Sequence, residues 1–395
     1  MNPDSLSRIT DEEIRGLFSS QNARHTEVTA AIHGENISGY PTWAMNLMEH
    51  RELERLAARM GIKDPDYKND QVRVYRAAQT AFGANVCDQW IPDNPMEMGS
   101  HGYEGGAFSA TTGNAIVVDG MTIEEPEDVV EHMERFLFPA LEKDIAEFDE
   151  EARIREIGLT EYKCQQEMGS EILKTGYGYI TFPTFYYGVY GYENYFCAYQ
   201  LYEDVIDRHF ALQAELCRKN NEAAAKAIER YDLPRLYRLD HDITDSRSPL
   251  VDVRSMDRIW FPRVSYSLAP VLEKTDTRLI WHCDGNIMPM VPRLLDIGIR
   301  GFQGFQYECG VDFAALAKMR DREGKPLFFE AGASVTTTLP HGTPEDVKRE
   351  LQYFAEVHGD SALTFGSSSS IAPGVPPANL DMLIEGLAYY RTHKA

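Results

Sequence analysis

Two residues apart near the end of an apolar run, His282 and Asp284 form the most suggestive pair in the 395-residue chain. In an extended segment side chains alternate, so these two point to one side of the sheet and Cys283 to the other. Gly285 follows and lets the backbone leave the strand sharply. Glu308 closes the next apolar run, in QYECG. A histidine with two carboxylates and a water is a workable shell for zinc or another divalent ion, and His282, Asp284 and Glu308 are therefore the candidate metal ligands. The same three groups could exchange protons with a substrate.

Other polar residues close neighbouring runs. Asp88 ends NVCDQW, Glu330 ends FFEAG, and RLDHDIT presents Asp240, His241 and Asp242 in succession. Only every second residue of that last run can face inward, and we assign the inward positions to Asp240 and Asp242. Asp88 and Asp242 join the catalytic set, and Asp240 is a candidate substrate contact. Singly, each group could merely hydrogen-bond to loop backbone; their convergence argues for chemistry.

The stretch from 177 to 202 is dense in tyrosine and phenylalanine. It reads either as tightly packed core or as an aromatic wall for a planar ligand, with Tyr186, Tyr187 and Tyr190 as candidate contacts. The Gly-rich HGYEGGAFSATTG, 101 to 113, reads as a loop over the site.

The elements that must position these groups alternate in type. PRLYRLDHDIT, DTRLIWHCDG, IRGFQGFQYECG and KPLFFEAGAS are apolar runs with polar ends, and helix-like stretches separate them. One such helix opens at Thr343 as N-cap with Pro344 in its first turn. Repeated βα units with nearly continuous apolar strands predict an α/β fold with parallel strands. Residues 1–80 read as a helical extension containing one short strand, GYPTW at 39 to 43, and residues 81–395 as the strand-helix body. No GxGxxG or Walker A pattern is present, which argues against a nucleotide-binding open sheet.

Composition narrows the partners. A formal charge of -23 disfavours nucleic acid and anionic membranes. Six scattered cysteines without a CxxC pair suit a reducing cytosol. The polar, acidic start lacks the features of a signal peptide, and no run reaches the ~18 apolar residues that span a bilayer. A cytoplasmic monomer or homodimer is the expectation.

The sequence also resembles the uroporphyrinogen decarboxylase and corrinoid methyltransferase superfamily. The resemblance runs through RHTEVTAAIHGENISGYPTW, FGANVCDQW, LDHDIT, IWHCDGN, DIGIRGFQGFQYE, HGTPEDV and FGSSSSIAPGVPPANLDML, in that order, over roughly residues 24 to 390. It implies a (β/α)₈ TIM barrel with its site at the C-terminal ends of the strands. It implies that His282 matches the family's histidine ligand to zinc and Glu308 its nearby glutamate. Asp284 and Ser369 stand where the two zinc cysteines are expected, so an ion here would have an oxygen-rich and more electrophilic shell. Such a shell suits drawing a methyl group from an ether oxygen better than activating a thiol.

The resemblance thus implies a methyltransferase that passes a methyl group from a small O-methylated, methoxyaromatic-like donor to a corrinoid carried by a separate protein. A second reading is a decarboxylase of a small acid. There Asp88 matches the aspartate that binds pyrrole nitrogens, no arginine-rich loop precedes Arg51, and Arg247 or Arg263 would hold a carboxylate. A third is a barrel that binds a ligand without catalysis.

Overall fold

The computed structural model describes residues 6, 8–35, 37–43, 46–93 and 116–394. The Gly-rich stretch 101 to 113 lies outside them. Among the described residues four helices precede the first strand: α1 (Asp11–Arg24), α2 (Thr26–Ile32), α3 (His50–Arg59) and α4 (Gln71–Ala81). Thr10 starts α1 through a reciprocal capping box with Glu13, so two backbone donors that a helix start leaves open are satisfied.

The strands are β1 (Val86–Cys87), β2 (Ile116–Val118), β3 (Met121–Ile123), β4 (Leu173–Lys174), β5 (Gly176–Tyr177), β6 (Leu236–Asp240), β7 (Arg278–His282), β8 (Gly301–Gln303), β9 (Phe328–Ala333) and β10 (Ala362–Ser367). Among the described residues, β10-β9-β8-β7-β6-β5 form one six-stranded sheet, β1-β4 a parallel pair and β2-β3 an antiparallel hairpin. Every pairing in the larger sheet is parallel. The chain is therefore α/β with parallel sheets, and no continuous ladder of these strands closes into a ring. Single parallel bridges extend the ladders at the edges: Thr42 to Phe365 and Trp43 to Val86. The GYPTW segment thus adds to the sheet from within the residues expected to form a separate extension.

Helices α5 (Glu150–Met168), α6 (Glu203–Tyr231), α7 (Phe261–Lys274), α8 (Pro344–Val357) and α9 (Pro377–Tyr390) pack outside the strands. On α6, Ile206, Phe210, Ala214 and Cys217 recur at helical spacing and are buried. Asn221 on the same face binds the backbone of Thr181 on both sides and the carbonyl of Ser267, tying α6 to α7. Thr343 caps α8 in a box with Asp346, with Pro344 in the first turn, as the Thr-Pro pair predicts. No helix of the described residues is long and apolar enough to cross a membrane.

Inside the sheet a small apolar cluster of Val86, Leu173, Leu236, Ile280 and Phe328 is joined by Val28 and Ile32 of α2 and by Trp43. It forms an apolar floor toward the N-terminal ends of the strands, while the polar strand ends lie at the other extremity. Near that extremity Gly332 pairs in register with Gly366. A Cβ on Gly332 would stand 1.8 Å from the Gly366 carbonyl oxygen, so a side chain there must force two backbones apart. Gly332→Ala is expected to lower the unfolding free energy by about 1–3 kcal/mol. The readout is the urea midpoint at constant slope, and an unchanged midpoint would show that the strands separate freely.

Candidate active site

The register of β6 and β7 builds the site. Asp240 pairs with His282, the last residue of each strand, and the chain continues on both sides to Asp242 and Asp284. The Nε2 of His282 is 3.9 Å from Oδ1 of Asp240, of Asp242 and of Asp284. That spacing is too long for a hydrogen bond. It suits ligands that share an ion, since two atoms each about 2.0–2.2 Å from one zinc-sized cation stand no more than ~4.4 Å apart. One ligand atom from each of Asp240, Asp242 and His282 lies within 4.8 Å of the others.

The imidazole is held from its other side. Its Nδ1 meets the side-chain oxygen of Gln303, which only accepts hydrogen bonds, so Nδ1 carries a proton and Nε2 is the nitrogen turned to the carboxylates. Gln303 is fixed in turn by donating to the carbonyl of Ser368 at 2.9 Å. Gly304, at φ +86°, lets the ring approach; a Cβ there would be 2.4 Å from Nδ1. Asp242 accepts from the backbone N–H of Asp284 at 2.8 Å. Asp284 Oδ1 is buried without a hydrogen-bond partner. Burial above all, with the charges of Asp242 and Asp240 adding to it, raises the proton affinity of Asp284 against the pull of His282. An orphaned carboxylate oxygen beside three ligand-capable groups fits a divalent cation.

Arg238 supports the group from below. Its Nε pairs with Asp88, and its Nη1 donates to Asp240 at 3.2 Å and to Gln303 at 3.4 Å. Asp88 also accepts from the Trp43 indole at 3.1 Å. Tyr177 donates to the second oxygen of Asp240 at 3.1 Å and lays its ring under the guanidinium at 4.7 Å. Burial opposes the Arg238 charge, but Asp88 and Asp240 more than offset it and the group stays firmly protonated. Arg238, Tyr177 and Gln303 are contributors that the sequence reading passed over. Arg238 carries a signal: it lies two residues before Asp240 and so faces the same way.

The remaining candidates are placed variously. Asp88 is buried in its ion pair and outside the ligand group. Glu308, expected among the ligands, belongs to a 3₁₀ turn (Tyr307–Cys309) past the end of β8; it is exposed and bonded to the Thr336 hydroxyl. Cys283 turns away, its Sγ meeting the Ile243 N–H and Thr244, and burial pushes the thiol up to about 12. His241 also turns away, accepting from the Phe185 N–H at 3.1 Å; burial pushes it down to about 4, so it is neutral.

Tyr187 borders the site. Its hydroxyl donates to the Asp242 carbonyl, and its ring lies nearly parallel to His241, with centroids 6.0 Å apart. Tyr186 packs edge-on against His209, away from the carboxylates. Tyr190 is 0% exposed and bonds to His132, which faces Asp119, so it belongs to the core. Ser369 offers its carbonyl to the Ser367 hydroxyl at 2.9 Å.

No protein-family model matches the chain, and neither does any curated protein. Among solved structures the chain is similar to a methyltransferase from Methanosarcina mazei, at 14% identity and a TM-score of 0.53, covering 93% of this chain and 98% of that one. At this identity the likeness is one of fold.

Proposed function

We propose that the chain is a methyltransferase that moves a methyl group from a small O-methylated donor, a methoxyaromatic compound in the first instance, to a corrinoid carried by a separate protein. The observation that carries this reading is the group of three carboxylates around one imidazole nitrogen, with no thiolate facing it among the described residues. The similarity of fold to a methyltransferase over nearly the whole chain supports it.

A divalent ion held by Asp240, Asp242 and His282, with Asp284 in reach, would supply Lewis acidity to the ether oxygen of the donor. The protein's own groups do the rest. Gln303 keeps the His282 lone pair aimed at that ion, and Arg238 and Tyr177 stop Asp240 from swinging away. Tyr187 and the adjoining aromatic rings offer one side to a planar donor.

We also read the architecture as a (β/α)₈ barrel. The bridges of Thr42 to β10 and of Trp43 to β1 would join the sheets at one seam, and Thr175, donating to the Cys87 carbonyl between β4 and β5, at the other. Residues 81–395 would form the barrel body, with 1–80 lending its first strand. A corrinoid partner would dock at the strands' C-terminal ends.

Decarboxylation fares worse on specific grounds. The arginines that could hold a substrate carboxylate are already occupied or lie in solvent: Arg238 is engaged by Asp88 and Asp240. Arg263 is paired bidentately with Asp207, and Arg247 is 86% exposed beside Asp245. The test is addition of the purified protein and a panel of methoxylated compounds to cob(I)alamin, with metal analysis alongside. Conversion of the visible spectrum to that of methylcobalamin is expected. No conversion with any donor would sink the reading, and carbon dioxide release would favour the decarboxylase.

A further inference from the structure

One rung can be followed across the parallel sheet. Asp240 pairs with His282, His282 with Gln303, Gln303 with Glu330, and Glu330 with Thr364. In-register partners on parallel strands share a face and lie about 4.8 Å apart, which puts Glu330 about 10 Å from His282 along the sheet. Phe328, two residues earlier, packs in the interior cluster with Ile280 and Leu236, so this face is the inner one. Glu330 is 0% exposed, and neither of its carboxyl oxygens has a hydrogen-bond partner.

Its charged neighbours are Asp88 beyond β1 and Arg238 on β6, and Arg238 is already shared between Asp88 and Asp240. An ionised carboxylate left without donors in a protein interior is strongly disfavoured, and the group takes up a proton instead. Burial first, and the Asp88 charge second, push Glu330 well above the usual carboxylate range, against Arg238. Toward the mouth, the next inward residues on β9 and β10 are Gly332 and Gly366. Those two strands therefore place no side chain over the carboxyl.

We propose that Glu330 is a general acid of this site, giving its proton to the oxygen from which a methyl group departs. This rests on the methyl-transfer reading above. In the step, the methyl carbon bonds to cobalt(I) of the corrinoid partner, which supplies both electrons of the new bond and is formally oxidised to cobalt(III). The C–O bond breaks and its electron pair stays on oxygen. The Glu330 proton passes to that oxygen, and the product leaves as an alcohol or phenol. The carboxylate left behind is stabilised by Arg238 until solvent returns the proton.

Glu330→Gln keeps the shape and has no proton to give. With donors whose oxygen is a poor leaving group, such as alkyl methyl ethers, transfer should fall about 10²–10⁴-fold. With a nitrophenyl methyl ether, whose phenolate needs no proton, it should hardly change. Infrared difference spectra of the wild type against the variant at neutral pH should show the carbonyl band of one protonated carboxyl. Equal losses across the series, no loss at all, or no band would each overturn the proposal. A wild type that shows the band but moves no methyl group from any donor would overturn the methyl-transfer reading and the acid's role with it. A wild type that does move methyl groups, with the same leaving-group dependence as the variant, would overturn the acid alone.

Discussion

Replacing His282 with alanine should strip the protein of bound divalent ion and reduce methyl transfer at least about 100-fold, the scale set by several kcal/mol of lost Lewis-acid stabilisation. The expectation follows from the geometry around Nε2. It is the one neutral donor among three carboxylate oxygens, each 3.9 Å away. Without it the three acids face one another with nothing between them to set their spacing. The fold should survive, because the floor of Val86, Leu173, Leu236, Ile280 and Phe328 does not involve the imidazole. Metal content by elemental analysis and circular dichroism on the same sample separate the two effects. Full metal occupancy in the variant would remove His282 from the ligand set.

The largest effect on stability is expected at Arg238. Its guanidinium and the Asp88 carboxylate are both almost wholly buried, with side chains 5% and 3% exposed. Breaking such a pair from one side leaves the other charge stranded, and Arg238→Met should cost about 3–5 kcal/mol. Asp240 would lose a partner at the same time. Urea denaturation reads the loss directly. The double variant Arg238→Met with Asp88→Asn should recover much of it, since no unpaired charge then remains at that position. A single variant as stable as the wild type would mean that water reaches Asp88.

Much of this organisation was legible in the sequence because it obeys the two-residue period of strands. That period assigns Asp240 and Asp242 to one side and His241 to the other, and sends Cys283 away from His282 and Asp284. The helix opened by Thr343 is legible for another reason: its N-cap and Pro344 are a matter of a few neighbouring residues. Contacts between distant segments were not legible. Arg238 meets Asp88 across 150 positions, a contact that depends on how β1 and β6 are brought together.

Two local misreadings have physical causes. The strand before Glu308 ends at Gln303, and Gly304, at positive φ, turns the chain out of the sheet. Gln303 therefore takes the place beside His282, and Glu308 is carried outward to Thr336. The aromatic run reads either as packed core or as a wall, and Tyr187–Tyr190 is a helical turn that serves both. Side chains on a helical turn fan out in different directions, which sends Tyr190 into the core while Tyr187 borders the carboxylates.

The single rung from Asp240 through His282, Gln303 and Glu330 to Thr364 bears on how the chain reaches its native state. A slip of one residue in a strand exchanges its two faces. In this sheet a slip would turn Trp281, Phe302 or Phe329 toward the carboxylates and carry a polar residue into the layer against the helices. The polar rung would then be broken and the apolar packing lost together. A cation held by Asp240, Asp242 and His282 would bind only when β6 and β7 are in this register, and so would favour that pairing over a slipped one.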